Sequence, residues 1–242
     1  DNLSIYLFND AQDTVISFSY LPLSERSTGV LDDTTDIRTL VNNYVARAET
    51  ANLFTAGREY TLDIEHPVLG NFSVKQTMPL PILDAHFIVS DGTVTNDFGV
   101  AAINVRATWL DRSDEDNFYQ IRVFRINPED GVIFQSNLTD QDPRTPSTPA
   151  FSKTLVLSDE GQNGQIMSLD FTASLVFDNL DFYAFEITAI TEEWYEVVRS
   201  HRQYQRLEED INNGYVEPFP IYTNVPDGFG YFLLGNRTLI LE

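Results

Sequence analysis

The sequence predicts an all-β protein of two β-sandwich domains with one prominent α-helix, and three observations carry that reading. Apolar residues alternate with polar ones in many short runs separated by Gly, Pro, Asn and Asp clusters, the period-two signature of half-buried antiparallel strands. Pro79 and Pro81 flank Leu80 in a stretch, Gln76–Asp84, that cannot donate a full ladder of hydrogen bonds. This places a boundary between domains of residues 1–80 and 81–242. One segment, Thr191–Asp210, changes instead to strong helical spacing.

In chain order, the first strands are expected around Leu3, Ile5 and Leu7 and over Val15–Tyr20, followed by a weaker helical pattern over Thr35–Tyr44. Tyr60, Leu62 and Ile64 then alternate with Glu59, Thr61, Asp63 and Glu65, which turns one face to a core and the other to water. Beyond the boundary the pattern returns in Ile103, Val105, Ala107 and Trp109, in Tyr119, Ile121 and Val123, and in Leu169, Phe171, Ala173, Leu175 and Phe177. Asn137–Ser152, with Pro143, Pro146 and Pro149 among Ser and Thr, does not alternate and reads as a long exposed loop. In the helix, Thr191 is the N-cap and Glu192 and Glu193 suit the positive end of the dipole. Trp194, Val197, Val198, His201, Tyr204 and Leu207 line its apolar face, with Arg199, Arg202, Arg206 and Glu208–Asp210 toward solvent and Gly214 as the stop.

Of 242 residues, 15 are basic and 37 acidic, a formal net charge of −22. That excess repels phosphate backbones and anionic lipid headgroups, so no nucleic-acid partner is expected. A hydrophobic content of 42% with 12% aromatics supplies a core despite the charge. Cysteine is absent, which removes disulfides, thiolate nucleophiles and cysteine metal sites. No apolar run reaches the roughly 18–20 residues of a membrane helix, so membrane attachment is expected to be covalent or through a partner. The chain opens at Asp1 without a basic or apolar leader, and a targeting segment is expected to precede it.

Enzyme signatures fail in turn. There is no Gly-x-Ser-x-Gly elbow, no His-Glu-x-x-His and no Gly-x-Gly-x-x-Gly after a strand, and Gly230–Gly235 continues with Asn236 and Arg237 where a phosphate loop needs Lys and Ser or Thr. His66, His86 and His201 stand far apart, each without a second ligand at metal spacing. A pair of hydrolytic carboxylates is a matter of spatial separation, which the sequence leaves open. Asp111, Asp114 and Asp116, in the knot Asp111–Asn117 between two strand-like runs, offer hard oxygens at the short spacing that Ca²⁺ requires. The knot lacks the Gly and distal Glu of an EF-hand loop, and the competing reading is a solvated hairpin turn. Near the carboxy terminus, Pro218–Phe232 alternates aromatics with turn formers. Tyr222, Asn224, Phe229 and Tyr231 are candidate contacts to a sugar or a partner, against the alternative of a terminal strand pair closing the core.

The run Ile221-Tyr222-Thr223-Asn224-Val225-Pro226-Asp227-Gly228-Phe229-Gly230-Tyr231-Phe232 resembles the ending of a domain-of-unknown-function family of Bacteroidota envelope lipoproteins, number forty-two forty-nine. Ala56–Leu62 is similar to the family's Gly-x-x-Tyr-x-Leu strand, and Thr77-Met78-Pro79 to its Thr-x-Pro exit. Trp109-Leu110-Asp111 through Asn117-Phe118-Tyr119 looks like its Asp-rich turn, Ser158-Asp159-Glu160 with Gly164 like its Ser-Asp…Gly turn, and Glu193-Trp194-Tyr195 like the opening of its helix. The order and spacing of these stretches from Ala56 onward carry the resemblance. It implies an immunoglobulin-like or transthyretin-like module followed by a larger β-sandwich, often encoded beside TonB-dependent receptors. It also implies an outer-membrane location, at the cell surface or the periplasmic face, through a lipidated Cys that this sequence does not contain. No catalytic residue is carried over. The expected function is that of a non-enzymatic accessory lipoprotein of a TonB-dependent transporter or another envelope complex. The alternative is a surface carbohydrate- or peptide-binding module, with Ca²⁺ as its candidate cofactor, and an uncharacterised hydrolase ranks last.

Overall fold

The alternating runs form strands in a computed structural model of the chain, with Ala101–Leu110 and Ile166–Ser174 the clearest cases. The described residues are 4–11, 13–20, 44–45, 54–90, 93–95, 99–113, 115–126, 133–140, 142, 144–145, 152–174, 182–211, 222–226 and 231–241. They fall in two compact units, Asp1–Met78 with Thr223–Phe232 and Pro79–Tyr222 with Leu233–Glu242.

In the first unit, β1 (Ser4–Asn9), β2 (Thr14–Tyr20), β3 (Tyr44–Val45), β4 (Glu59–His66) and β5 (Gly70–Thr77) form a five-stranded antiparallel sheet in the order β3-β2-β1-β4-β5. β4 and β5 pair from Glu59↔Thr77 to His66↔Gly70. Their connecting turn is fixed by His66, whose Nδ1 accepts the backbone N–H groups of Val68 (3.1 Å) and Leu69 (2.9 Å). Leu7, Tyr60 and Val74 are buried, and the Tyr60 hydroxyl accepts the Thr55 N–H at 2.7 Å. The helical pattern over Thr35–Tyr44 gives way at its end to a strand, since Tyr44 and Val45 pair with Tyr20 and Ser19. An aromatic next to a β-branched residue suits a pleated surface better than a helix. Residues 35–43 lie outside the described residues, as do Leu3, Leu175 and Phe177.

The second unit is built of two five-stranded antiparallel sheets. One contains β6 (Leu83–Val89), β7 (Val94–Thr95), β8 (Ala101–Leu110), β11 (Leu138–Asp140) and β13 (Ile166–Ser174), in the order β11-β13-β8-β6 with β7 also pairing β8. The other contains β9 (Phe118–Ile126), β10 (Ile133–Gln135), β12 (Leu155–Ser158), β14 (Phe182–Ile190) and β15 (Gly235–Leu241), in the order β10-β9-β14-β15 with β12 also pairing β9. Odd-numbered residues meet in the core: Ile103, Val105 and Trp109 of β8 and Met167, Leu169 and Phe171 of β13, with Tyr119, Ile121 and Val123 of β9 and Phe185 and Ile187 of β14. Phe87 of β6 stacks on Phe185 with ring centroids 4.8 Å apart, and Trp109 meets Tyr119 edge-on at 5.1 Å. These offset and edge arrangements suit the aromatic quadrupole. In β6 the ladder to β8 shifts register between Leu83 and His86, where Asp84 takes a left-handed backbone conformation at φ 48°.

Two expectations are corrected here. Asn137–Ser152 is not a loop throughout, because Leu138–Asp140 pairs with β13 and Leu138 is fully buried. One buried leucine pins a short edge strand that its polar neighbours conceal. The knot Asp111–Asn117 is not a hairpin turn. It joins β8 to β9, which belong to different sheets, so the chain crosses here from one layer to the other.

The helix α1 spans Glu192–Ile211 and is capped as expected. The Thr191 side-chain oxygen accepts the Trp194 N–H at 3.4 Å and its carbonyl the Tyr195 N–H at 3.2 Å. Val197 is buried. Arg202, expected in solvent, is 6% exposed and donates to the Thr154 carbonyl at 2.7 Å and to Ser152 Oγ at 3.4 Å. Its charged head is buried because backbone and hydroxyl acceptors satisfy it. At Gly235 a Cβ would come within 2.8 Å of Thr188 Cγ2 and 3.0 Å of Trp194 Cζ3, so the start of α1 and the sheet approach over a residue with no side chain.

Replacing Phe185 by Ala should lower the free energy of unfolding by about 3–5 kcal/mol, as for other buried aromatics. Ile166→Ala, at an outward position 73% exposed, should stay within about 0.5 kcal/mol of wild type. Urea denaturation of both variants measures the contrast.

Candidate functional site

Asn104 and Arg106 of β8 and Ser168, Asp170 and Thr172 of β13 face away from the core. Arg106 lies opposite Asp170 on one side and Ile88 of β6 on the other, while Asn104 lies opposite Thr172, which in turn faces Thr139 of β11. These residues line a groove of about 650 Å³ on the outer face of the sheet, with β7 contributing to its lining. Ligand sites of small molecules run from about 300 to 1,000 Å³.

An ion pair forms the floor of this groove. Arg106 Nε donates to Asp170 Oδ1 at 2.7 Å and Nη2 to Oδ2 at 2.9 Å, a bidentate fork that fixes both side chains. Their shared hydrogen bonds hold the Asp170 carboxyl below the usual carboxylate range and the Arg106 guanidinium above its ordinary value. Both stay ionised at neutral pH, so neither is poised for proton transfer. With side chains 59% and 67% exposed, the pair remains open to a ligand from the solvent side.

A smaller hollow of about 320 Å³ lies on the sheet of the first unit, lined by residues of β1, β4 and β5. Its polar groups are engaged with one another, Lys75 Nζ with Glu59 at 2.7 Å and Ser73 Oγ with Asp63 at 2.6 Å. At about half the volume of the groove it sits at the lower end of the ligand-site range, and the larger groove is the candidate site.

A family model described as Domain of unknown function (DUF4249) matches residues 5–239. The chain belongs to the DUF4249 family. No curated protein and no solved structure matches it.

In this DUF4249 chain one of the three carboxylates proposed for Ca²⁺, Asp111, is held by other groups of the protein. Asp111 is buried, with Oδ1 accepting the Tyr119 hydroxyl and Oδ2 the Gly164 N–H at 2.7 Å. Gly164 has a φ of 74°, and a Cβ there would come within 2.6 Å of the Ser113 Cβ, so this approach requires glycine. Asn117 Nδ2 donates to the carbonyls of Arg112 (3.0 Å) and Glu115 (2.8 Å), and its own carbonyl accepts the Asp159 N–H at 3.0 Å. Asp116 is exposed and Asp114 lies outside the described residues. Among the described residues no three His, Cys, Asp or Glu side chains are grouped where they could hold a metal ion. The crossing is thus a hydrogen-bonded corner. Burial pushes the Tyr119 hydroxyl far up, helped by its bond to Asp111, and keeps it a neutral donor. Burial also raises Asp159, with the charges of Asp111 and Asp116 adding to it and the Asn117 hydrogen bonds opposing.

The carboxy-terminal candidates divide between the units. Tyr222 belongs to the second, where it is half-buried and its N–H donates to Ser200 Oγ at 3.2 Å. Asn224 and Tyr231 belong to the first. Asn224 exchanges two hydrogen bonds with the Phe232 backbone, Nδ2 to the carbonyl at 2.7 Å and Oδ1 from the N–H at 2.9 Å. Its side chain thus copies a strand pairing. Tyr231 is 43% exposed, and Phe229 lies outside the described residues. Sequence reasoning missed Asn104, Arg106, Asp170 and Thr172. Their signal was opposite charge and paired hydrogen-bonding groups at the polar positions of two alternating strands, visible only once those strands are set in register.

An Asp159→Asn variant tests the corner. The folded protein holds the Asp159 proton more tightly than the unfolded chain, so ionising it costs stability as pH rises from the ordinary carboxylate range through its raised folded value. The variant should melt above wild type at neutral pH. This advantage should vanish below about pH 3, where the wild-type carboxyl is protonated in both states. Thermal melts at the two pH values check the sign, and a pH-independent difference would show that the Asp159 charge is not its cause.

Proposed function

We propose that this chain is a non-enzymatic binding protein of the bacterial outer membrane, lipid-anchored and working as an accessory of a TonB-dependent receptor or another envelope complex. The groove over Arg106 and Asp170 carries the reading of a binding protein. It is a formed concavity whose central charges are locked into a neutral pair, an arrangement suited to holding a ligand. Proton-transfer catalysis needs a group whose proton affinity lies near the working pH, and this ion pair moves both partners away from it. The location and the receptor partner rest on the family resemblance of the motifs from Ala56 to Phe232.

A second reading, a surface module for carbohydrate or peptide, is favoured by the amide and hydroxyl side chains of Asn104, Thr139 and Thr172 around the same groove. The two readings are compatible where an accessory protein presents a ligand to its partner.

Affinity capture of the anchored protein from native outer membranes, without overexpression, tests the proposal. One receptor should copurify in near-equal amount. Catalytic turnover of a broad substrate panel by the purified chain, with no receptor captured, would overturn it.

A further inference from the structure

We infer that the groove on the outer face of β6, β8, β13 and β11 binds a neutral oligosaccharide. The inference rests on the reading of this chain as a binding protein and names the class of molecule bound.

Charge narrows the choice first. Arg106 and Asp170 cancel one another in a bidentate pair, so the floor of the groove presents dipoles and no net charge. Asp140 at the rim accepts the Thr145 hydroxyl and the Asp142 N–H (3.0 Å), which commits its carboxylate to the protein. An anion would approach a chain of net charge −22 and compete with Asp170 for the one guanidinium. A cation would have to take a carboxylate from Arg106 or from the Thr145 turn. A neutral polyol meets neither penalty.

Hydrogen-bonding geometry narrows it further. Asn104 and Arg106 on β8 face Thr172 and Asp170 on β13 across one strand spacing, about 4.8 Å. The four form a patch in which an amide and a hydroxyl, each donor and acceptor, stand beside a fixed donor and a fixed acceptor. Sugar hydroxyls are themselves donor and acceptor and project from neighbouring ring carbons, so adjacent hydroxyls can bridge such a patch in pairs. Ile88, 58% exposed and directly beside Arg106, supplies an apolar contact for the C–H face of a ring. A volume of about 650 Å³ accommodates a short saccharide.

An extended peptide fits less well. Peptide addition to a sheet uses an open strand edge. Here β8 is already paired by β13 and β6, and β13 by β8 and β11, so a peptide could add only at the outer edges of β6 and β11 and not over Arg106 and Asp170. Only side chains are offered on this face.

The full chain should be screened against an array of neutral gluco-, galacto-, manno- and xylo-oligosaccharides from di- to tetrasaccharides. Sulfated and uronate-bearing oligosaccharides and a peptide library serve as competing classes, with hits measured by calorimetry. At least one neutral series should bind. Asp170→Ala and Arg106→Ala should each weaken it about tenfold or more, the scale of losing hydrogen bonds to a charged group. Asp63→Ala in the first unit should leave the affinity unchanged. Because the pair is exposed, the groove variants should melt near wild type, which separates lost binding from lost folding. Absence of binding to every neutral series, binding unmoved by the groove substitutions, or preference for the sulfated sugars or peptides would overturn the inference. If a receptor still copurifies in that case, the ligand class fails and the accessory reading stands. Release of new reducing ends from a bound sugar would support the ligand class and overturn the non-enzymatic reading.

Discussion

Successive side chains on a strand point to opposite faces, so each apolar residue that β8 and β13 send into the core forces its neighbours out. Ile103, Val105, Ala107 and Trp109 occupy one face of β8, and that leaves Asn104 and Arg106 on the other. Leu169, Phe171 and Ala173 do the same for Asp170 and Thr172. A slip of one residue would carry Arg106 and Asp170 into the core and Trp109 into water. Each buried aromatic side chain is worth about 2–3 kcal/mol in transfer, and an unpaired buried charge costs more, so the register is strongly specified. The groove is thereby a by-product of the core, held in place by packing on the face it does not share.

The same constraint explains why the corner between β8 and β9 is so heavily bonded. Both strands are flanked within their own sheets, so the seven residues from Asp111 to Asn117 must carry the chain across the sandwich without a ladder. Backbone groups there find partners in Asn117, and Asp111 reaches over to the Gly164 N–H and the Tyr119 hydroxyl. These bonds tie the end of β8 to the start of β9 and to the turn before β13. They hold together the strands that carry the groove, at the cost of placing Asp159 close to Asp111.

Local features were legible in the sequence because they depend on near neighbours. The alternation of Ile103–Trp109 and the Thr191 cap each state their structure within a few residues. Features set by distant partners were not. Arg106 and Asp170 are 64 residues apart and become a pair only through the register of β8 with β13. Helical periodicity placed Arg202 on a polar face but said nothing of the Thr154 carbonyl that takes its guanidinium. Three residues of β11 are too few to show a period, so Leu138 stayed hidden among Ser, Thr and Pro. The spacing of Asp111, Asp114 and Asp116 displays carboxylates, but not the Tyr119 hydroxyl and Gly164 N–H that hold Asp111.

A chain without cysteine allows the central claim, that one alternation builds both core and groove, to be read one position at a time. Single-cysteine variants along β13 can be treated with a polar thiol reagent under native conditions. The account predicts fast labelling at positions Ser168, Asp170 and Thr172 and protection at Leu169, Phe171 and Ala173. Labelling shifted by one residue, or equal along the strand, would contradict it.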